Sequence, residues 1–238
     1  MKHLDIVLQK RDLSRLYSSL TIKLNAFLMS IIPQETADLL HKKDLRPYSM
    51  FTLEQSNNIV FRVSVLTSDA VPLYEAAKNT RLFDVVGIEG GVAVLDIVEH
   101  EDHSVEKLLK RPSSQFKILF ASPATYRQGS DYTNVFAIQP LLYSVADKLR
   151  LFERIDVPNT EIKTLCETVK FPYFKLSSEE YRVKRGSPVP GFIGETIIKL
   201  RGTPEQNARI MMLFRYAEFT GLGAKTALGM GGILLDER

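Results

Sequence analysis

The sequence predicts an α+β protein of two tandem ferredoxin-like domains, and two observations support that fold class. Hydrophobic residues alternate over short strand-like stretches and repeat with helical spacing over longer ones. Both halves then show the order strand, helix, two strands, helix and strand, which is the ferredoxin-like order. We place the domains at residues 1–112 and 113–238. This division rests on element order, because the halves share no visible sequence identity.

The first half supplies its elements in turn. Alternation over residues 3–8 predicts the first strand, and an apolar helical face that begins at Leu16 ends at Pro33. A shorter helix over residues 35–40 ends at His41. The remaining predicted elements are strands at 48–53 and 59–66, a helix at 69–78, and a hairpin of 82–88 with 92–98 that adds an edge strand.

The second half follows a charged stretch, residues 107–114, which contains Pro112 and is predicted to be the linker. Pro140 suits the first turn of a helix. Residues 203–206 (TPEQ) combine a capping threonine, a proline and a glutamine three places after the cap, which predicts a second helix start. The predicted strands are 116–120, 169–176, 181–184, 192–200 and 233–235.

Composition limits the function only weakly. The net charge of +3, from 31 basic and 28 acidic residues, is too small to predict nucleic-acid binding by itself. The single cysteine, Cys166, excludes an internal disulfide framework and cysteine-based zinc sites. No stretch approaches the roughly eighteen apolar residues of a membrane span, and the first residues contain no signal core. We therefore expect a cytoplasmic protein without membrane contact, and we predict no metal or other cofactor.

A glycine-rich segment near the C-terminus is the most informative part of the sequence. Residues 221–232 contain five glycines, which allow positive φ angles and close backbone approach. Exposed N–H groups there, together with Lys225, would suit a phosphate. A P-loop is excluded because Ala224 precedes Lys225, and a dinucleotide fingerprint is excluded because Thr226 replaces its third glycine. The order of helix, loop and strand is also inverted for both.

The spacing of these glycines resembles that of a known family. Two glycine-hydrophobic-glycine units, Gly221-Leu222-Gly223 and Gly229-Met230-Gly231, stand five residues apart. This pattern resembles the signature loop of the CRISPR repeat-processing endoribonucleases (the sixth Cas protein), within the RAMP superfamily of RNA-binding proteins. Three further stretches resemble the same family: 120–127 (FASPATYR), 191–194 (GFIG), and Leu40-His41 followed by 46–49 (RPYS).

The resemblance implies a fold, a partner and an activity. The fold would be two ferredoxin-like domains of RAMP/RRM type. The partner would be CRISPR repeat RNA, and other CRISPR-associated proteins of an interference complex are further candidates. The implied activity is cleavage of precursor CRISPR RNA within its repeats without a metal ion. The 2′-hydroxyl would be the nucleophile, and the products would carry a 5′-hydroxyl and a cyclic phosphate or 3′-phosphate. The oligomeric state stays open between monomer and homodimer.

Such chemistry needs a base, an acid and positive charge, and histidine suits the first two roles near neutral pH. Of the four histidines, His41 is the candidate, because it follows a helix and has basic neighbours. We expect His3 to be structural. We expect His100 and His103 to lie in a solvated acidic turn rather than in a metal site.

Arg46 is the second candidate catalytic residue. A guanidinium can hold two phosphate oxygens at once, so Arg46 would stabilise the charge of the phosphorane. The identity of a third catalytic residue stays open among Tyr17, Ser18 and Tyr48.

Basic side chains elsewhere are candidates for RNA binding. A predicted hairpin of the second domain contains three of them, which could enter an RNA groove or follow a single strand. Tyr126 would either stack on a base or be buried. The candidate RNA-binding residues are Lys42, Lys43, Arg127, Arg182, Lys184, Arg185, Gly221, Gly223, Lys225, Gly229 and Gly231.

The alternative function is a binding module. Some members of the family lack an active-site histidine, so the same fold could grip repeat RNA as a non-cleaving subunit of a CRISPR ribonucleoprotein complex. The presence of His41 among basic residues favours the enzyme.

Overall fold

The computed structural model describes residues 1–9, 17–109, 113–183 and 188–237, and for residues 17–19 it describes the backbone alone. The first half contains β1 (Lys2–Gln9), α1 (Tyr17–Ile31), α2 (Gln34–Lys42), β2 (Tyr48–Gln55), β3 (Asn58–Val65), α3 (Val71–Asn79), β4 (Leu82–Phe83), β5 (Val92–Glu99) and α4 (Val105–Leu108). The second half contains β6 (Gln115–Ala124), β7 (Tyr126–Gln128), β8 (Asp131–Thr133), α5 (Ile138–Glu153), α6 (Asn159–Glu167), β9 (Val169–Tyr181), β10 (Val189–Leu200), α7 (Pro204–Thr220) and β11 (Ile233–Asp236). None of the helices within these ranges is long and apolar enough to cross a membrane.

The two main sheets repeat one topology. The first sheet has the order β2-β3-β1-β5-β4 and the second has the order β11-β6-β10-β9. In each, the first strand of the half lies in the middle and pairs antiparallel with the third and the last strands. This is the ferredoxin-like arrangement with β4 as an added edge, so the predicted fold class is confirmed. The predicted boundary between residues 112 and 113 adjoins residues outside the described ranges and stays a prediction.

Hydrophobic alternation explains where each core forms. In β1 the alternate residues Leu4, Ile6 and Leu8 are fully buried in the core of the first half. In β6 the residues Phe116, Ile118 and Phe120 are buried in the same way in the core of the second half. Since side chains of a strand alternate between faces, one face of each sheet packs on its helices.

Five sequence-based assignments differ from the structure. The predicted strand 82–88 shrinks to Leu82–Phe83, because the chain turns at Val85–Ile88 through Gly87 at a φ of +89°. The predicted strands 169–176 and 181–184 form the single strand β9, whose mostly exposed side chains do not alternate regularly. Helix α6 was missed because it buries only two apolar residues, and α4 occupies part of the predicted linker. The small β7–β8 pair was also missed.

Helix α7 connects the two halves. Its start confirms the predicted capping box: the Thr203 side chain accepts from the N–H of Gln206, and the Gln206 side chain accepts from the N–H of Thr203. At its other end, Ser49 Oγ of the first sheet donates to the Phe219 carbonyl at 2.7 Å. The open face of the first sheet therefore packs against the end of α7 and the glycine-rich segment that follows.

Three histidines cluster at this junction. The ring centroids of His3 and His100 lie 4.3 Å apart, and the rings of His3 and His103 each pack near Phe219. His100 Nε2 lies 3.0 Å from a carboxylate oxygen of Asp5. The structural role expected for His3 agrees with its burial. The acidic turn expected at His100 and His103 exposes Glu101 and Asp102, but the two histidines themselves are half-buried. In the described ranges, no three histidine, cysteine or carboxylate side chains are grouped to hold a metal ion.

Burial of His3 predicts a loss of stability in acid. Burial first, and then the nearby charges of Arg62 and His100, lower the pKa of His3 from 6.5 to about 3. Below pH 6.5 the unfolded chain takes up a proton at this histidine that the folded chain refuses. The free energy of unfolding should therefore be about 2 kcal/mol lower at pH 5 than at pH 7 from this group alone.

Urea denaturation of the wild type and His3→Phe at the two pH values checks this expectation. The phenyl ring keeps the stacking on Phe219 and cannot be protonated, so the variant should lose less stability on acidification. His41→Gln, at an exposed position outside the cluster, should keep the wild-type difference. An equal loss in His3→Phe and wild type would show that other groups cause the acid sensitivity.

Candidate functional site

Two adjoining cavities lie where α1, α2, the β9–β10 hairpin and the glycine-rich segment meet. One has a volume of about 500 Å³ and is lined by Arg46, Arg127, Tyr132 and Lys225, among others. The second, of about 600 Å³, is lined by His41, Arg46 and Lys225 and by apolar residues of α1. We call the two cavities together the basic cleft. The structure therefore brings five of the predicted site residues to one cleft: His41, Arg46, Arg127, Gly223 and Lys225.

His41 has a defined orientation. It lies in the last turn of α2, its side chain is exposed, and its Nδ1 is 2.7 Å from the Ala37 carbonyl oxygen. A carbonyl can only accept a hydrogen bond, so Nδ1 must carry the proton. In the neutral ring, Nε2 then has the free lone pair. This nitrogen can accept a proton from a bound hydroxyl, or can donate one once the ring is protonated.

Arg46 lies between the two cavities. It belongs to the segment that joins α2 to β2, and its Nη1 is 3.4 Å from the Tyr48 hydroxyl. Tyr48 is 1% exposed, and burial raises the pKa of its hydroxyl. Tyr48, one of the three candidates for a third catalytic residue, therefore contacts Arg46 through its hydroxyl. The side chains of Tyr17 and Ser18 lie outside the described part of the chain, so their roles stay predictions.

The two lysines beside His41 have different surroundings. Lys42 is exposed at the end of α2. Lys43 forms an ion pair with Asp69, at 2.5 Å between Nζ and Oδ2, and lines a separate cavity with Asp69 and Arg154. Asp69 therefore neutralises part of the Lys43 charge at a place outside the basic cleft. RNA binding by either lysine stays a prediction.

The glycine loop, residues 221–232, packs closely against β6. Ala224 N–H donates to Thr125 O at 2.8 Å, and Gly231 N–H donates to Pro123 O at 2.9 Å. A Cβ added at Gly223 would lie 2.1 Å from Thr125 O. Gly221, Gly223, Gly229 and Gly231 all have positive φ angles.

The N–H groups of this loop are largely engaged within the protein. Gly221 and Leu222 donate to backbone carbonyls, and Gly223 and Gly232 donate to the serine hydroxyls of Ser144 and Ser122. The N–H groups of these four residues are therefore not exposed for a phosphate, and phosphate binding by the rest of the loop stays a prediction. The glycines allow the close packing of the loop, and their contact with RNA stays a prediction.

The loop is also tied to the first half. Asn25 Nδ2 of α1 donates to the Ala227 carbonyl at 3.1 Å. A Cβ at Gly232 would lie 2.2 Å from the Phe51 ring of β2. Both halves therefore contact the loop, which lines both cavities of the basic cleft.

The Tyr132 ring contacts two cations of the smaller cavity. Lys225 Nζ lies 4.8 Å from the centroid of its ring and Arg127 Cζ lies 5.3 Å from it. Burial raises the pKa of the Tyr132 hydroxyl, but hydrogen bonds and charges from Arg127 and Lys225 outweigh burial and lower it. Sequence reasoning missed Tyr132, although the turn residues Gly129 and Ser130 before it could have indicated the β7–β8 hairpin.

The predicted basic hairpin borders the second cavity. Tyr181 pairs with Val189 across the β9–β10 hairpin, and the Tyr181 hydroxyl donates to the Leu228 carbonyl at 2.8 Å. Arg182 follows and is exposed. Lys184 and Arg185 lie outside the described residues. Tyr126, for which base stacking was one alternative, packs partly on the core of the second half.

Similarity to known proteins covers nearly the whole chain. The family model of the "CRISPR-associated endoribonuclease Cas6" matches residues 118–233. The chain is 27% identical over 230 residues to the CRISPR-associated endoribonuclease Cas6 of Streptococcus thermophilus, with 92% of each chain covered. It is 27% identical over 221 residues to the protein of the same name from Mycobacterium tuberculosis, covering 88% of this chain and 69% of that one. A solved Cas6 product complex superposes with a TM-score of 0.79 at 20% identity, over 99% and 98% of the two chains.

Proposed function

This chain belongs to the family of CRISPR-associated Cas6 endoribonucleases, and on that premise we propose that it cuts precursor CRISPR RNA within each repeat without a metal ion. One observation carries the proposal. His41 faces the same cavity as Arg46 and Lys225, and its Nδ1–H is held by Ala37, which leaves Nε2 for proton transfer. A base or acid thus stands beside two cations at one cavity.

The proposed reaction is an attack by the 2′-hydroxyl on the adjacent phosphate. The 2′-oxygen forms a bond to phosphorus while the bond from phosphorus to the 5′-oxygen breaks. The 2′-hydroxyl loses its proton and the leaving 5′-oxygen gains one, so the products are a cyclic phosphate and a 5′-hydroxyl. His41 Nε2 performs one of these two proton transfers as general base or general acid.

Positive charge supports the same step. The transition state carries extra negative charge on the phosphate oxygens, which preorganised cations stabilise. Arg46, on the wall shared by the two cavities, is the proposed partner of those oxygens, since a guanidinium can bind two of them. Lys225 lines the same two cavities and supplies a second charge.

We further propose that RNA extends from His41 into the smaller cavity. Arg127 and Lys225 offer charge to the backbone there, and the ring of Tyr132 lies between them. Arg182 on the β9–β10 hairpin would contact RNA at the other side of the His41 cavity. Association with other CRISPR-associated proteins, and the choice between monomer and homodimer, stay predictions from the family.

A single 2′-deoxy substitution tests the mechanism. Repeat RNA that lacks the 2′-hydroxyl next to the scissile phosphate should not be cut, because the nucleophile is missing. The unmodified RNA should be cut at one site in excess EDTA at the same rate as in magnesium. Gel analysis of end-labelled RNA, with kinase labelling of the new 5′-hydroxyl without prior phosphatase treatment, measures both.

The control is a repeat with the 2′-deoxy substitution one nucleotide away, which should be cut normally. Cleavage that needs magnesium, or that continues on the RNA deoxy-substituted at the scissile position, would contradict the proposed mechanism. Tight binding of unmodified repeat RNA without a product would favour the alternative, a non-cleaving RNA-binding subunit.

A further inference from the structure

A buried lysine forms part of the basic cleft. Lys148 lies on α5, is 4% exposed, and lines the smaller cavity beneath the glycine loop. Its Nζ donates to the Thr220 carbonyl at 2.7 Å and to Thr226 Oγ1 at 2.9 Å. Both acceptors are neutral. An ammonium has three N–H groups, and these two bonds use two of them.

The charge of Lys148 has no negative partner in the described ranges. No ion pair of Lys148 with a carboxylate is found there, and burial alone lowers the pKa of its ammonium to about 7. Burying an ammonium without a counter-charge is unfavourable, and buried charges in proteins are normally paired. In its charged form, the Lys148 ammonium is therefore held by two neutral acceptors and would be stabilised by an anion in the adjoining cavity.

The surroundings of this lysine favour a phosphate as that anion. Arg46, Arg127 and Lys225 line the same cavity, each from a different segment of the chain, and Asp44 is the one carboxylate among the lining residues. A phosphodiester carries a single negative charge and several acceptor oxygens. It could therefore meet the third N–H of Lys148 and the three other cations of the cavity at once.

We propose that the smaller cavity is a subsite for one backbone phosphate of the bound RNA, distinct from the phosphate that is cut, with Lys148 at its floor. The proposal rests on the proposed function, since it assumes that repeat RNA enters the basic cleft. It assigns Lys148 a role beyond holding the end of α7 at Thr220. Because the Lys148 ammonium also donates to Thr226 Oγ1, this lysine would link the bound phosphate to the glycine loop.

Binding of uncleavable repeat RNA tests the subsite. The RNA carries the 2′-deoxy substitution at the cut site, and its dissociation constant is measured over a range of NaCl concentrations. For Lys148→Met the dissociation constant should rise about tenfold, and the slope of its logarithm against that of the salt concentration should fall by about one. Lys163→Met, an exposed lysine on α6, should change neither. Thermal melting establishes that the variants are folded.

A second measurement locates the phosphate. Repeat RNAs with a neutral methylphosphonate at one position at a time are bound to the wild type and to Lys148→Met. At one position other than the cut site, the methylphosphonate should weaken binding to the wild type about tenfold, because the neutral group no longer attracts the Lys148 ammonium. The same modification should leave binding to Lys148→Met unchanged, because that variant has no ammonium to lose. If Lys148→Met does not fold, Arg127→Met, on the same cavity, replaces it in the same comparison.

The outcomes separate the two proposals. If folded Lys148→Met binds with wild-type affinity and salt slope, Lys148 serves only to hold Thr220 and Thr226, and the subsite is refuted. The subsite is also refuted if the scissile phosphate is the one position at which a methylphosphonate affects the wild type and Lys148→Met differently. If the wild type itself fails to bind repeat RNA, the proposed function fails, and the subsite fails with it.

Discussion

Replacement of His41 by alanine is expected to lower the rate of repeat cleavage by about 10²- to 10⁴-fold, the usual contribution of a general acid or base. The affinity for RNA should change little, because His41 is one exposed side chain and the cations that line the cleft stay in place. Single-turnover cleavage with enzyme in excess measures the first quantity, and binding of RNA with a 2′-deoxy cut site measures the second. The loss should therefore appear in the chemical step.

A matched control separates this effect from a disturbed helix. Glu35→Ala changes an exposed residue in the first turn of α2, away from the cleft, and should cleave at the wild-type rate. His41→Gln keeps a polar side chain but cannot transfer a proton, so it should be as inactive as alanine. If His41→Ala cleaves at a rate within a few-fold of the wild-type rate, His41 is not the general acid or base. Tyr48 and Arg46 would then be the next residues to substitute.

The second large effect is expected at the glycine loop. Gly223→Ala should lower the free energy of unfolding by about 3 kcal/mol or more, since it combines backbone strain with a collision in a buried loop. The residue has a φ of +84°, and its new Cβ would lie 2.1 Å from the carbonyl oxygen of Thr125. That oxygen belongs to the backbone next to β6, so it cannot move away without breaking its bond from Ala224. Urea denaturation measures the change.

Gly129→Ala is the matched control for the strain alone. Gly129 has a φ of +66°, but an added Cβ would meet nothing within 4 Å. Its substitution should cost about 1 kcal/mol, the penalty of a left-handed backbone for a residue with a Cβ. Gly223→Ala should also weaken RNA binding where it still folds, because the loop presents Lys225. Equal destabilisation by the two substitutions would mean that the loop moves to accept the methyl group.

Local patterns in the sequence were sufficient for the fold class and for one half of the candidate site. The alternation in β1 and β6 and the capping box at Thr203 depend on neighbours within a few residues, so they could be predicted and were confirmed. The glycine spacing indicated the family whose model matches residues 118–233, through a motif that is contiguous in the chain. His41 and Arg46 could be proposed together because one short segment holds both.

The tertiary structure decided which distant residues join them. Arg127 and Lys225 both pack on the ring of Tyr132, and Lys148 meets Thr226 from 78 positions away in the sequence. His3 and His103, from opposite ends of the first half, pack on Phe219 of α7. Sequence reasoning could not find these contacts, because burial and charge pairing depend on how the two sheets pack together and not on the spacing of residues along the chain. The sequence by itself thus determined most of the elements and the candidate histidine, whereas the packing of the two halves determined the cleft and the groups that line it.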